Sequence, residues 1–339
     1  MIAYYQNKKV LVTGGAGFIG SELVRQLVSQ GAQVTVVDSL VNGKKENLDG
    51  LLSQVNLAVT DIRDEKSLMK LLEETDILFH LACLGLRHSL HSPEENHEVN
   101  ATATLKLLSL ARKARAKRFV YVSSSEVYGT GQEVPMTETH PTFPRQVYGA
   151  AKLAGEGYAR AFYESYGFPA VVVRPFNTYG PRSHHEGDSG EVIPKFLLRS
   201  LALRPLVIFG DGTQTRDFTY VSDTAKGILL AGFRPEAVGQ TLNLASGKEI
   251  SINGLAREVM AVTGREVPLE HDVPRPGDTL RLLGDASKAK QILGFEPQIS
   301  LRDGMSKLKE WYLGRGIPVE KLLEEEVVRN WEKKSYSYR

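Results

Sequence analysis

VLVTGGAGFIGS, residues Val10 to Ser21, decides how the rest of this chain is read. Val10, Leu11 and Val12 are an apolar run of strand length; the run breaks at Gly14-Gly15, and a helix starts near Phe18. The glycines of this strand, turn and helix fall at 14, 17 and 20. Gly14 permits the tight turn, Gly17 lets the backbone approach a pyrophosphate, and Gly20 lets the helix lie close on the strand. Phosphate oxygens are then held by free N–H groups at the helix N-terminus, with no lysine required.

A three-glycine turn is a weak signal by itself, because such turns also serve as plain corners. Here a second apolar run, Val34 to Val37, ends in Asp38, at about the 20-residue distance expected of a ribose-binding acid. A carboxylate there accepts hydrogen bonds from both adenosine ribose hydroxyls and repels a 2′-phosphate, so the expected cofactor is NAD rather than NADP. The expected cofactor contacts are Gly14, Gly17, Phe18, Ile19, Gly20 and Asp38, then Asp61 and Ile62 after the third strand and Leu81 and Ala82 at the end of the fourth.

The 339 residues suffice for two domains, or for one large α/β domain with a smaller lobe. A formal charge of +2 with interspersed signs offers no field for nucleic acid or an anionic membrane. The one cysteine, Cys83, excludes a disulfide framework within the chain. The opening MIAYYQNKK leaves no room for a secretory signal, and no apolar run is long enough to span a bilayer, so a soluble, cytoplasmic protein is expected.

Strands at 55–59 and 77–81 alternate with helices at 18–30 and after Asp64, a candidate cap. Long helices at 93–115 and 147–166 flank a strand at 119–122, and another strand follows at 170–173. This alternation implies a doubly wound parallel sheet with both faces covered. Beyond it the pattern loosens: strands near 206–209, 217–219 and 241–244, helices near 191–203, 222–232 and 253–263, and a final pair after Asp285. The expected architecture is a Rossmann-type domain over 1–178, to which some later segments return, with a smaller C-terminal α/β substrate lobe over 179–339.

Tyr148 and Lys152 are one helical turn apart and share a face. Ser124 ends a strand in the loop region where the phosphate turn also opens. Together they form a hydride-transfer constellation. A phenol is a poor base at neutral pH, but an adjacent ammonium and a positive nicotinamide ring both favour the phenolate. Tyr148 then takes a proton from a sugar hydroxyl as carbon-bound hydrogen leaves for NAD, Ser124 hydrogen-bonds the same oxygen, and Lys152 also reaches the nicotinamide ribose.

The motifs GGAGFIG, SSSEVYG, YGAAK and RPFNTYGPR together resemble the extended short-chain dehydrogenase/reductase family, the NAD-dependent nucleotide-sugar epimerases and dehydratases. The resemblance runs from Lys9 to about Pro297. It implies a tightly held NAD, a nucleotide-sugar substrate, and a homodimer in which the helices at 93–115 and 147–166 pair with those of a second subunit. By position it makes Ser124, Tyr148 and Lys152 catalytic, Asn177 the contact to the sugar diphosphate, Arg216 and Arg275 phosphate ligands, and Asp278 the acid on the nucleotide ribose, with Ser125 a further substrate contact. Two arginines converging on one lobe are what a pyrophosphate demands.

The reaction is less sharply marked. Glu126 stands where epimerases of the family carry a small residue and where dehydratases and uronic-acid decarboxylases carry a glutamate base. Dehydratases of deoxythymidine-linked sugars also place an aspartate just before it, and this chain has Ser125. FGDGTQTRDFTYV and RPGD look most like the UDP-sugar 4-epimerase branch. A 4-epimerase therefore stands ahead of a 4,6-dehydratase using Glu126, with a UDP-glucuronate decarboxylase third and a non-catalytic NAD sensor as the alternative of another class.

Three features are set aside. His184, His185, Glu186 and Asp188 resemble metal ligands by composition, but neighbours in a loop seldom converge on one ion, so a substrate-facing or lid loop and no metal is expected. Cys83 is expected to be a small buried neutral residue rather than a nucleophile. The stretch from Glu320 to Lys334 is expected to form a solvated helix with one apolar stripe.

Overall fold

A computed structural model describes residues 2–332. Its strands are β1 (Lys9–Thr13), β2 (Gln33–Asp38), β3 (Val55–Val59), β4 (Ile77–His80), β5 (Arg118–Val122), β6 (Ala170–Pro175), β7 (Asn177–Tyr179), β8 (Leu206–Phe209), β9 (Thr215–Tyr220), β10 (Thr241–Leu244), β11 (Glu249–Ser251) and β12 (Leu269–Asp272). The main sheet runs β3-β2-β1-β4-β5-β6-β10, with every pair parallel. The order reverses between β1 and β4, which opens a crevice at the carboxyl ends of the strands.

Both faces of this sheet are buried, as its apolar strands require. Val10, Val12, Val34 and Val36 pack on the helices Phe18–Ser29 and Val221–Phe233, while Leu11, Val37, Leu78 and Phe119 pack on Glu65–Leu72, Ala103–Lys113 and Val147–Tyr166. Asp64 does cap its helix, accepting from the Ser67 N–H at 3.1 Å. A third core gathers Phe196, Leu206, Phe218, Leu255 and Leu308 beneath the small β11-β9-β7 and β12-β8 sheets.

Three expectations need correction. The helix expected over 93–115 is interrupted by a π-helical turn at Glu98–Thr102. The cause is local: Asn100 reaches the Leu84 N–H through Oδ1 and the Leu84 carbonyl through Nδ2, both at 2.9 Å, while Asn96 takes the Gly85 carbonyl at 3.0 Å. Turning both asparagines onto the loop after β4 costs the regular helical register and fixes that loop. The tail helix spans only Val319–Leu323, after which the chain runs through turns back over the lobe; Lys333 and Lys334 lie outside the described residues. Cys83 is half-buried, facing a cavity.

Candidate active site

A cavity of about 520 Å³ opens at the strand-order reversal and extends into the lobe, a size usual for ligand clefts. It gathers the expected residues onto one wall or another: the glycine turn with Phe18 and Ile19; Asp38, Asp61, Ile62, Leu81 and Ala82; Ser124, Ser125, Glu126, Tyr148 and Lys152; and Asn177, Arg216, Arg275 and Asp278.

At the strand-order reversal the cavity wall is the glycine turn and Asp38. Gly14 has φ +70°, and a Cβ on it would come within 2.7 Å of the Ala82 nitrogen, while a Cβ on Gly20 would strike the Gly14 carbonyl. Both positions must be bare for the turn to form. Asp38 accepts the Ala16 N–H on Oδ2 and the Leu40 N–H on Oδ1, each at 2.9 Å. These bonds orient the carboxylate and leave lone pairs for a ribose. Burial raises its pKa, and the two N–H groups pull the other way. Asp61 is held by Arg63, with bonds of 3.0 and 2.7 Å.

At the reacting end, Lys152 is 3% exposed, and its ammonium donates to the Val122 carbonyl at 2.9 Å and lies 6.0 Å from the centre of the Tyr148 ring. Burial pulls this lysine down. The Tyr148 phenol is pushed up, first by burial and then by Cys83, Glu126 and Glu191; its hydrogen bond with Ser124 acts in the opposite sense. Burial thus opposes the ionisation expected from the lysine. Gly149 makes the approach possible, since a Cβ there would lie 2.6 Å from the Glu126 carbonyl.

In the lobe, Arg216 and Arg275 converge on one oxygen. Asp278 Oδ1 accepts from Arg216 Nη2 at 2.7 Å and from Arg275 Nη2 at 2.8 Å. Burial alone would raise the Asp278 carboxyl, but Arg275 and Arg216 hold it below the ordinary value. Glu126 Oε2 accepts from the Thr279 hydroxyl at 3.3 Å, and Arg216 feels its charge. Asn177 donates to the Asp217 carbonyl at 3.4 Å.

Of the loop histidines, His184 pairs with Glu186 at 2.9 Å. His91 pairs with Asp188 at 3.1 Å, whereas His185, Glu186 and Glu325 bring ligand-type atoms within 4.8 Å of one another. The Lys44 ammonium sits 2.7 Å from Glu186, supplying the positive charge that this carboxylate needs.

Several groups escaped the sequence reading. His80 bridges Thr13 at 2.7 Å and Thr104 at 2.9 Å, fully buried and pulled down to about 3 by burial and then by Lys152. Glu156 lies one turn beyond Lys152 on the same helix and is paired with Arg174; the repeated spacing of four from Tyr148 was the available signal. Arg87, Glu191 and Lys195 also line the cavity, and they carry no familiar motif.

A doubly wound sheet with a glycine turn, a ribose acid and a serine, tyrosine and lysine about one cavity defines a dinucleotide-dependent enzyme of the short-chain dehydrogenase type. The profile of the GDP-mannose 4,6 dehydratase family matches residues 11–308, and the chain belongs to that family of NAD-dependent nucleotide-sugar epimerases and dehydratases. It is similar to the UDP-glucose 4-epimerase of Mycolicibacterium smegmatis, 36% identical over 310 residues that cover 90% of this chain and 98% of that protein. It is also similar to the UDP-N-acetyl-alpha-D-glucosaminuronate decarboxylase of Bacillus cytotoxicus, 33% identical over 321 residues, 90% of this chain and 98% of that protein. The structure of the dTDP-glucose 4,6-dehydratase of Streptomyces venezuelae, solved with NAD bound, superimposes with a TM-score of 0.86 at 31% identity, over 92% of this chain and 99% of that one. The cofactor is NAD, as in further solved structures of this kind. Among the described residues no helix is long and apolar enough to cross a membrane.

Proposed function

We propose that this enzyme is a 4-epimerase of a UDP-linked hexose. Supporting this reading most directly is the pair Ser125-Glu126, and in it Ser125 rather than Glu126. The Glu126 carboxylate accepts from Thr279, and its charge is felt both by Arg216 and by the Tyr148 phenol, so it stands between the phosphate-facing and the reacting groups. Its neighbour Ser125 offers no acid to expel a hydroxyl from carbon 6. The acid that 4,6-dehydratases of deoxythymidine-linked sugars place before that glutamate is therefore missing.

The glycine turn and Asp38 would hold NAD, which when bound would supply a two-electron acceptor for the carbon 4 hydride and the donor for its return. Tyr148 takes the proton of the carbon 4 hydroxyl and gives it back, Ser124 holds that oxygen, and Lys152 keeps positive charge under the phenol. Arg216 and Arg275 grip the diphosphate while Asp278 keeps them together, Asn177 faces the sugar diphosphate, and Ser125 faces the substrate. We also infer a homodimer through the Ala103–Lys113 and Val147–Tyr166 helices, which leave Leu105 38% and Tyr166 55% exposed, and a cytoplasmic location.

Turnover of UDP-glucose or UDP-galactose in deuterated water tests the reaction. Epimerisation leaves the carbon 5 hydrogen untouched, so the product is isobaric with the substrate and free of deuterium, and Glu126→Gln keeps much of the activity. Deuterium at carbon 5 with loss of one water would transfer the assignment to the dehydratase; loss of carbon dioxide from UDP-glucuronate would transfer it to the decarboxylase.

A further inference from the structure

Beyond Val319–Leu323 the chain doubles back along the helix Val192–Leu201 as a strap that borders the cavity with Glu326, Val328 and Asn330. It is tied down along its length. Arg199 Nε reaches both carboxylate oxygens of Glu326 at 2.9 Å, and Asn330, 4% exposed, donates to the Gly190 carbonyl at 2.9 Å. Arg329 grips Asp272 with bonds of 2.8 and 2.6 Å, and Trp331 meets Phe209 edge-on at 4.5 Å.

Beneath the strap lies Lys195, which lines the cavity and is 8% exposed. Its ammonium donates to the Val327 carbonyl at 2.6 Å and the Val328 carbonyl at 3.5 Å. Its stem crosses Gly190, where a Cβ would come within 2.6 Å of Cε. Among the described residues no carboxylate lies within ion-pair distance of it; Glu326, the acid whose charge it feels, is held by Arg199. Arg87, Arg199 and Arg275 share its surroundings, so the ammonium has carbonyls for partners and cations for neighbours. Burial, then Arg87, pull it down to about 7. Arg87 is itself underused, with a bond of 3.4 Å to the Ser189 carbonyl and no partner for Nε. Like charges collected around a cleft are costly until an anion enters.

We propose that Lys195 is a third cationic ligand, beside Arg216 and Arg275, for the diphosphate of the nucleotide sugar, and that the strap holds it there through its carbonyls. This rests on the nucleotide-sugar reading of the site. A bound diphosphate favours the charged lysine, so binding takes up a proton and affinity falls as pH rises through about 7. The groups facing Lys195 are Arg199 on its own helix, Glu326 and the carbonyls on the strap, Arg87 from the loop after β4, and Arg275. Glu191, at the N-terminal end of the same helix, is raised to about 7 by burial and titrates over the same range.

The test is calorimetry of the NAD-loaded full chain with UDP-glucose, whose diphosphate diester does not titrate near neutrality. Lys195→Met should bind about 10- to 100-fold more weakly at low pH, as for a lost charge-assisted hydrogen bond, and its affinity should no longer fall across neutrality. Lys195→Arg should retain the affinity with the pH slope flattened, because guanidinium stays charged, and it keeps the test open if the methionine variant misfolds. Glu191→Gln should leave the slope in place. Wild-type affinity in folded Lys195→Met, or a slope that persists in Lys195→Arg and disappears in Glu191→Gln, overturns the proposal. Arg275→Ala separates the two readings: if it weakens binding and Lys195→Met does not, this proposal alone fails. If the wild-type protein binds neither UDP-glucose nor GDP-mannose, the nucleotide-sugar reading fails with it.

Discussion

Arg174 and Glu156 form a fully enclosed fork, with Nε to Oε1 at 2.8 Å and Nη2 to Oε2 at 2.6 Å. The Ser123 hydroxyl donates to the same Oε1 at 2.6 Å, and Arg174 also donates to the Tyr128 hydroxyl at 2.7 Å. The helix that carries Tyr148 is thereby locked to the strand end that carries Ser124. Glu156→Gln should leave a buried guanidinium unpaired and cost about 3–5 kcal/mol of stability, while replacing both partners by apolar residues of similar volume should recover part of that loss. Urea unfolding of the three proteins measures this; equal midpoints would remove the pair from any structural role.

Tyr148→Phe deletes one hydroxyl at the Ser124 contact and nothing at Arg216 or Arg275. Turnover should fall by about 10²–10⁴-fold, the usual value of a positioned proton-transfer group, while UDP-glucose affinity stays within a few fold. Steady-state kinetics and calorimetry on the same preparation check both halves. Near-normal turnover would relieve Tyr148 of its role.

Asp38 should make the protein prefer NAD to NADP by about 100-fold, since like charges brought together cost several kcal/mol. Asp38→Asn keeps an oxygen that can accept an N–H from Ala16 or Leu40 and removes the repulsion, so the ratio should shrink chiefly through better NADP binding. Titration of cofactor-stripped protein with each dinucleotide gives the ratio; equal affinities in the wild-type protein would exclude this ribose argument.

Glu191 gives stability a pH dependence of known sign. Its carboxyl is raised from 4.5 to about 7, by burial first, against the pull of His184 and Arg87. Between these values the folded protein holds a proton that the unfolded chain has released, so this group's contribution to stability falls as pH rises through the window. Glu191→Gln should therefore stabilise the protein above pH 7 by on the order of 1–3 kcal/mol and change little below pH 4.5. Unfolding curves at the two ends of the window decide it, and a gain confined to the acid end would reverse the assignment.

The Rossmann half was legible because its signals are local. Val10 to Gly20 and the run ending at Asp38 each carry their structure within a dozen residues, and the strict alternation of apolar strands with helices leaves few other ways to cover a sheet. The cavity's charged wall was legible only in part. Arg216 and Arg275 stand in recognisable motifs, but their shared grip on one oxygen of Asp278 depends on two segments far apart in sequence. Lys195 was missed for the same reason, and the Glu320–Lys334 stretch, as far as it is described, was misread as a helix. Leucines and valines among charges read as an amphipathic helix, whereas Arg199, Gly187 and Asn330 hold the backbone in turns through contacts that no local pattern announces. The π-helical turn likewise follows from what Asn96 and Asn100 reach, not from their helix propensity.

The position of β10 at the edge of the main sheet bears on how the chain acquires its shape during synthesis. Thr241–Leu244 pairs with Val172–Pro175 only after some sixty-five intervening residues, among them β7, β8 and β9, have been made. Until then the outer edge of β6 presents unpaired N–H and C=O groups, a template for strands of other chains. The helix Val221–Phe233 arrives just before β10 and covers the sheet face beside it. A nascent chain released before residue 241 would carry a complete cofactor turn on an open-edged sheet, and aggregation rather than a working half-enzyme is its expected fate.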